Sequence, residues 1–175
     1  PGPGALERQG AFRMSDDRPP NIREPRFDEP RDHPGFTARR ARLGDQAGAR
    51  KLGASLWELP PGEAAYPYHF HLGEEELLVV IAGTPSLRTA DGVRELASGE
   101  VVSFPTGQEG AHQVVNRTGA AVRFLALSTN GVPDITIYPD SNKVSAAERV
   151  PGGFRRIYRL DDDVDYHDGE TPPAG

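Results

Sequence analysis

The stretch Pro67-Tyr68-His69-Phe70-His71-Leu72-Gly73-Glu74-Glu75-Glu76 decides how this chain is read, together with a third histidine, His112, further along. Side chains alternate faces on a β-strand, so His69 and His71 are expected to point the same way. Imidazole nitrogen and carboxylate oxygen are the ligands that Zn, Fe, Mn and Ni accept. Three imidazoles with Glu76 leave coordination positions open for water or substrate, as a working metal site does and a closed structural site does not.

The surroundings of this stretch read as short strands divided by turns. Expected strands cover 50–59, 64–71, 75–82, 86–90, 93–96, 100–104, 112–116, 121–128 and 135–138. Turn residues lie between them, among them Pro60-Pro61-Gly62, Gly83-Thr84-Pro85, Asp91-Gly92 and Pro105-Thr106-Gly107. Asp91-Gly92 is the strongest hairpin signal. Many short strands at this spacing indicate an all-β sandwich or barrel. The only helix candidate, at 145–149, is short. If the pleat is regular, Ala65, Pro67, His69 and His71 face inward and Tyr66, Tyr68 and Phe70 face outward. Glu76, Leu78 and Val80 share a face, as do His112, Val114 and Asn116. Four ligands then meet above an apolar floor of Leu78, Val80 and Val114.

Composition sets the limits. A chain of 175 residues suggests one domain. Its net charge of −6 lacks the basic footprint of a nucleic-acid binder. With no cysteine there are no disulfides and no thiolate ligands. The longest apolar run, 77–82, is far short of a membrane span, and no secretory leader is recognisable, so a cytoplasmic location is the expectation. Two lysines against eighteen arginines reflect base composition of a high-GC genome before function.

Residues 1–13 precede the only methionine, Met14, and read as a cloning remnant or upstream residues. The rest of 1–38 is a proline-rich arm, where Pro19, Pro20, Pro25, Pro30 and Pro34 forbid a regular helix or central strand. It is either a loose tail or a segment laid on the barrel or a partner, anchored by Ile22, Phe27 and Phe36. Residues 39–139 form the barrel. Residues 140–175 form a C-terminal extension: 154–160 reads as an edge strand, and 161–170 as an acidic, solvated segment.

Two blocks punctuate the ligands. The first runs Gly62, His69, His71, Glu76, Gly83; the second runs Gly99, Pro105-Thr106-Gly107, His112, Asn116. This order resembles the two-part signature of the cupin superfamily, over about residues 50–138, with one extra residue before His69 and two before His112. Both insertions fall in turns. The block Glu74-Glu75-Glu76-Leu77 and the later Tyr138-Pro139-Asp140 are similar to those of single-domain bacterial cupins. The resemblance implies a single cupin β-barrel, a double-stranded jelly roll, flanked by the arm and the extension. The six-residue gap to Gly83 in the family pattern selects Glu76 as the carboxylate ligand. Glu74 is then a supporting or rim charge, and Glu75 faces away.

One fold hosts many chemistries. The resemblance implies a metal-binding protein holding one divalent transition ion, with a metal-dependent enzyme of oxygenase, decarboxylase or isomerase type acting on a small organic substrate as the first expectation. A non-catalytic ligand-binding or regulatory protein is the alternative, and a storage role is disfavoured by the full ligand set. An enzyme also needs an acid or base beside the metal. Glu74, Tyr68 and Glu109 are the candidates, and Gln108 joins Glu109 as a possible substrate contact. Asn116 reads as a strand-end hydrogen bonder, Trp57 as packing, and His33 and His167 as surface residues. Neither nucleic acid nor membrane is expected as a partner. A homodimer is expected, because Leu77, Val79, Ile81, Leu125 and Leu127 form an outward face too apolar for water.

Overall fold

A computed structural model of the chain describes residues 18–149 and 152–171, so the expectation for residues 1–13 lies outside the described residues. Among the described residues, thirteen strands and one short α-helix follow in the order β1 Glu29–Arg31, β2 Ala38–Ala41, α1 Leu43–Gln46, β3 Gly53–Leu59, β4 Phe70–His71, β5 Glu76–Ala82, β6 Ser86–Thr89, β7 Gly92–Glu95, β8 Val101–Phe104, β9 Gln113–Val115, β10 Val122–Ser128, β11 Asp134–Tyr138, β12 Lys143–Ala147 and β13 Arg155–Arg159. The architecture is all-β, as the turn-rich pattern predicts.

One sheet has the order β1-β2-β3-β10-β5-β8. Opposite it lie β13-β12-β11-β4 and β7-β6-β9. These two shorter sheets are joined by single bridges at Ala64–Val115 and His69–His112, which makes them one interrupted layer. All named pairings are antiparallel.

The alternation of each strand decides what lies between the layers. Trp57 and Leu59 of β3, Leu78 and Val80 of β5, Leu87 of β6, Phe104 of β8, Val114 of β9, and Val122 and Phe124 of β10 form the buried core. Burial of side chains of this size contributes roughly 1.5–3 kcal/mol each. Trp57 stacks on Phe124 at 6.2 Å, so its role is packing. The opposite face of the same sheet carries Leu56, Ile81 and Leu125. They pack with Phe27 of the arm, Ala41 of β2 and Leu43 of α1. The arm therefore covers part of the apolar outer face itself. Phe27 is an anchor as expected, while Ile22 is 38% exposed and is not. Pro30 sits in β1 at the end of its sheet, where its missing N–H interrupts no ladder.

The helix expected at 145–149 is corrected to a strand. Asn142 takes the left-handed conformation at φ 49°, which turns the chain back after Tyr138. Residues 143–147 then pair along the whole of β11. Ladder hydrogen bonding outweighs the weak helical preference of a five-residue segment. The strand expected at 154–160 is present as β13, at the edge of its sheet.

Candidate metal centre

The four expected ligands are brought together from both layers. His71 lies on β4, and His69 precedes it by two residues. His69 and His112 face each other across a reciprocal backbone pair, N–H to carbonyl in both directions, at 3.1 and 2.9 Å. Such a pair fixes both side chains on one side of the layer. Glu76 opens β5 in the opposite sheet. Its Oε2 lies 3.4 Å from His71 Nε2, 3.6 Å from His112 Nε2 and 4.0 Å from His69 Nε2.

Hydrogen bonding sets which ring nitrogens are available. His69 Nδ1 donates to the Pro67 carbonyl at 3.0 Å, and His112 Nδ1 donates to the Gly110 carbonyl at 2.9 Å. His71 Nδ1 donates to Asp134 Oδ2 at 2.8 Å. A carbonyl or carboxylate can only accept, so each Nδ1 holds the proton and each neutral ring presents its Nε2 lone pair inward. Among the described residues, Glu76 Oε2 is buried and has no hydrogen-bond partner. A buried carboxylate oxygen without a partner is costly. Imidazole nitrogens with a carboxylate oxygen are donors that a divalent transition ion accepts, so His69, His71 and Glu76, with His112 beside them, fit the expected ion.

Electrostatics agree with that fit. Burial holds His69 well below the usual histidine range and takes His112 down to about 4, so both stay neutral ligands. Burial also pushes Glu76 up, partly offset by His71 and Arg149. Burial lowers His71 too, but the Asp134 hydrogen bond and the Glu76 and Asp134 charges outweigh it and raise its pKa. A bound cation would act against both shifts, favouring the ionised Glu76 carboxylate and the neutral His71 ring.

Behind His71 lies a second buried group. Asp134 Oδ2 accepts from His71 Nδ1, from Thr136 Oγ1 at 2.9 Å and from Arg149 Nη2 at 2.8 Å. Arg149 Nε forms an ion pair with Glu74 Oε1 at 2.9 Å. Glu74 is 1% exposed, and burial raises its pKa to about 7 although Arg149 pulls it down. The Asp134 carboxyl is held below the usual range: burial alone would raise it, but the His71 and Arg149 hydrogen bonds prevail. Glu74, His71 and Asp134 could themselves hold a cation by proximity. Arg149 already supplies that cation.

Of the other expected residues, Tyr68 lies beneath the Arg88 guanidinium at 4.2 Å and is not brought to the ligands. Glu109 and Gln108 are exposed on a 3-10 turn before His112. Glu75 is exposed. Asn116 is a strand-end anchor, donating from Nδ2 to the Leu59 carbonyl at 3.0 Å and the Ala120 carbonyl at 2.7 Å.

Tyr66 is the residue that sequence reasoning placed on the wrong face. Its Oη lies 3.2 Å from His112 Nε2, and its ring meets His69 at 4.8 Å. Residues 65–68 are a bend rather than a strand, because Pro67 restricts Tyr66 and interrupts the ladder between the bridges at Ala64 and His69. Strict alternation does not survive such a bend, and Pro67 was the available signal. Burial raises the Tyr66 pKa well above the usual phenol value, so it stays a proton donor. Tyr138, at the end of β11, stacks against His69 with centroids 6.0 Å apart.

A cupin domain model matches residues 55–128, the span that holds all four ligands and the inner strands. That span is a cupin domain, and the chain carries the cupin fold. Two solved structures superpose on this cupin with TM-scores of 0.67, each covering 75% of this chain and 82% of its own. One is a protein from Acidithiobacillus ferrooxidans assigned as a sugar phosphate isomerase, at 26% identity. The other is a sugar phosphate isomerase of the cupin superfamily from Silicibacter pomeroyi, at 28% identity. No protein of curated function matches the sequence. Among the described residues, no helix is long and apolar enough to cross a membrane.

Proposed function

We propose that this cupin is a metal-dependent enzyme acting on a small organic substrate, of the isomerase type, interconverting an aldose and a ketose that carry a phosphate. The observation that carries the metal dependence is the convergence of three imidazole Nε2 atoms on the partnerless Glu76 oxygen. The reaction class is supported by the two structural relatives named above, whose likeness spans the barrel and its flanks.

His69, His71, Glu76 and His112 would hold one divalent ion. When bound, that ion supplies Lewis acidity to a substrate carbonyl or hydroxyl. The chain supplies the rest. Tyr66 Oη is the hydroxyl that lies on a ligand Nε2, and it keeps its proton, so it donates a hydrogen bond to a substrate oxygen at the centre. Glu74, held by Arg149 on the far side of His71, orients the ligand rather than touching substrate. The apolar floor of Leu78, Val80 and Val114 excludes water beneath the centre.

Protein purified without chelator or nickel resin should contain about one equivalent of a divalent transition ion by elemental analysis. It should then be screened against aldose and ketose phosphates with Fe(II), Mn, Ni and Zn in turn, following both isomers by NMR. Turnover that Tyr66→Phe lowers by about 10² or more, with metal content unchanged, supports the reading. A protein that holds metal yet turns over none of these substrates with any ion refutes the isomerase, and makes a non-catalytic ligand binder the better reading.

A further inference from the structure

Residues of the arm and of the C-terminal extension line one cleft beside Tyr66. Its volume is about 310 Å³, and Arg31, His33, Tyr66 and Lys143 are among its walls. That volume is at the small end of ligand sites, which run roughly 300–1,000 Å³. The cleft lining includes two permanent cations, of which Arg31 is paired with Glu29 and Lys143, among the described residues, is not paired with a carboxylate. Lys143 is one of only two lysines, and among the described residues no carboxylate pairs with it. Its ammonium lies instead 5.6 Å from the centre of the Tyr138 ring. Arg31 is held in place by Glu29 at 3.0 Å and by the Trp57 ring at 4.9 Å.

The cleft shares its walls with the centre. Tyr66 lines it and also touches His112 Nε2. Tyr138 stands between Lys143 and His69. Tyr66 is thus the wall that the cleft and the ligand cluster have in common, with Lys143 and Arg31 on the cleft side.

We propose that this cleft is an oxyanion site that takes the phosphate monoester of the substrate, with Lys143 and Arg31 as its cationic contacts. The inference rests on the proposed isomerase only for the word substrate. The anion site itself follows from the cleft. A guanidinium offers a two-toothed grip on phosphate oxygens, and an ammonium offers a point charge. Its two cationic contacts come from segments outside the matched cupin span, Arg31 of β1 and Lys143 of β12, while Ala65, Tyr66 and Pro67 within that span complete the wall.

The probe is inorganic phosphate, titrated calorimetrically into the full chain at low ionic strength. Wild type should bind one equivalent, and Lys143→Met should weaken binding by about tenfold, the loss of one charge-assisted contact. Lys143→Glu should abolish it. Arg31→Met should act similarly, with unchanged circular dichroism and metal content as the check that the fold survives. For a turned-over sugar phosphate, Lys143→Met should raise KM by about tenfold and leave kcat within about twofold, because the contact is remote from the reacting carbons. Absence of phosphate binding, or wild-type affinity in both Lys143 variants, overturns the anion site even if isomerase activity is found. Phosphate binding that depends on Lys143, in a protein that isomerises no sugar phosphate, upholds the site and overturns the reaction instead.

Discussion

Replacing Arg149 tests whether the extension holds the metal centre in shape. In Arg149→Met, two carboxylates lose their cation: Asp134, fully buried, and Glu74, 1% exposed. Removing one partner of a buried pair costs about 3–5 kcal/mol, chiefly because the other charge is stranded. Two features lower that figure. The Arg149 side chain is 35% exposed, so water already screens part of it. Glu74, with a pKa of about 7 even beside Arg149, will take up a proton and stop being a charge. Asp134 keeps its Thr136 and His71 partners. The expected loss is therefore about 2 kcal/mol, or roughly 4–8 °C in Tm for a domain of this size. Asp134 orients His71, so metal affinity should also fall by about tenfold, at the low end of what disturbing a ligand's hydrogen-bond partner costs. Thermal unfolding in chelator reads the first effect, and a competitive metal titration reads the second. Arg149→Lys should fall between, since it restores charge without the fork. Adding Glu74→Gln to Arg149→Met should recover part of the stability, because a neutral amide needs no cation. A Tm within about 1 °C of wild type for Arg149→Met would refute this account of the cluster.

Other substitutions probe separate parts of the molecule. His71→Ala should remove most bound metal while the barrel stays folded, because the core of Leu78, Val80, Phe124 and their neighbours is buried without it; circular dichroism and elemental analysis together decide this, and an unfolded variant would make the site structural. Gly110→Ala should lose about 1–3 kcal/mol and weaken metal binding, since a Cβ there would clash with the Pro105 carbonyl oxygen and shift the Gly110 carbonyl that orients His112; unchanged melting would contradict the tight turn. We also expect a homodimer by light scattering at micromolar concentration, now placed at the edge strand β13 and its flanks, where Phe154, Ile157, Tyr158 and Leu160 are 42–52% exposed; a mass near 19 kDa would show that the chain leaves this edge uncovered.

The strand pattern and the grouping of His69, His71 and Glu76 were legible because both obey short-range rules. Period-two alternation in β3, β5 and β10 separates Trp57, Val80 and Phe124 from Leu56, Ile81 and Leu125 in sequence as it does in space. His69, His71 and Glu76 lie within one hairpin-sized stretch, and Asn116 closes a turn with its own near neighbours. What stayed hidden depends on distance along the chain. Asp134 meets His71 across 63 positions and Arg149 meets it across 78, through a pairing of β4 with β11 that no local pattern encodes. Tyr66 was lost to a different cause, a proline bend where regular alternation had been assumed. The apolar outer face was read correctly as needing cover, but Phe27 and Leu43 supply part of it from within the chain.

The candidate ligands are divided unequally between the two layers. The three imidazoles belong to one interrupted layer, and two of them are latched by a mutual main-chain pair. The carboxylate belongs to the other sheet, at the first residue of β5. Any breathing that parts the two layers withdraws Glu76 alone and leaves the imidazole trio intact. The barrel is thus built so that an ion would lose its single anionic ligand first. Ion exchange and the opening of the barrel would then share one motion, with the rate of metal release following amide exchange at the start of β5.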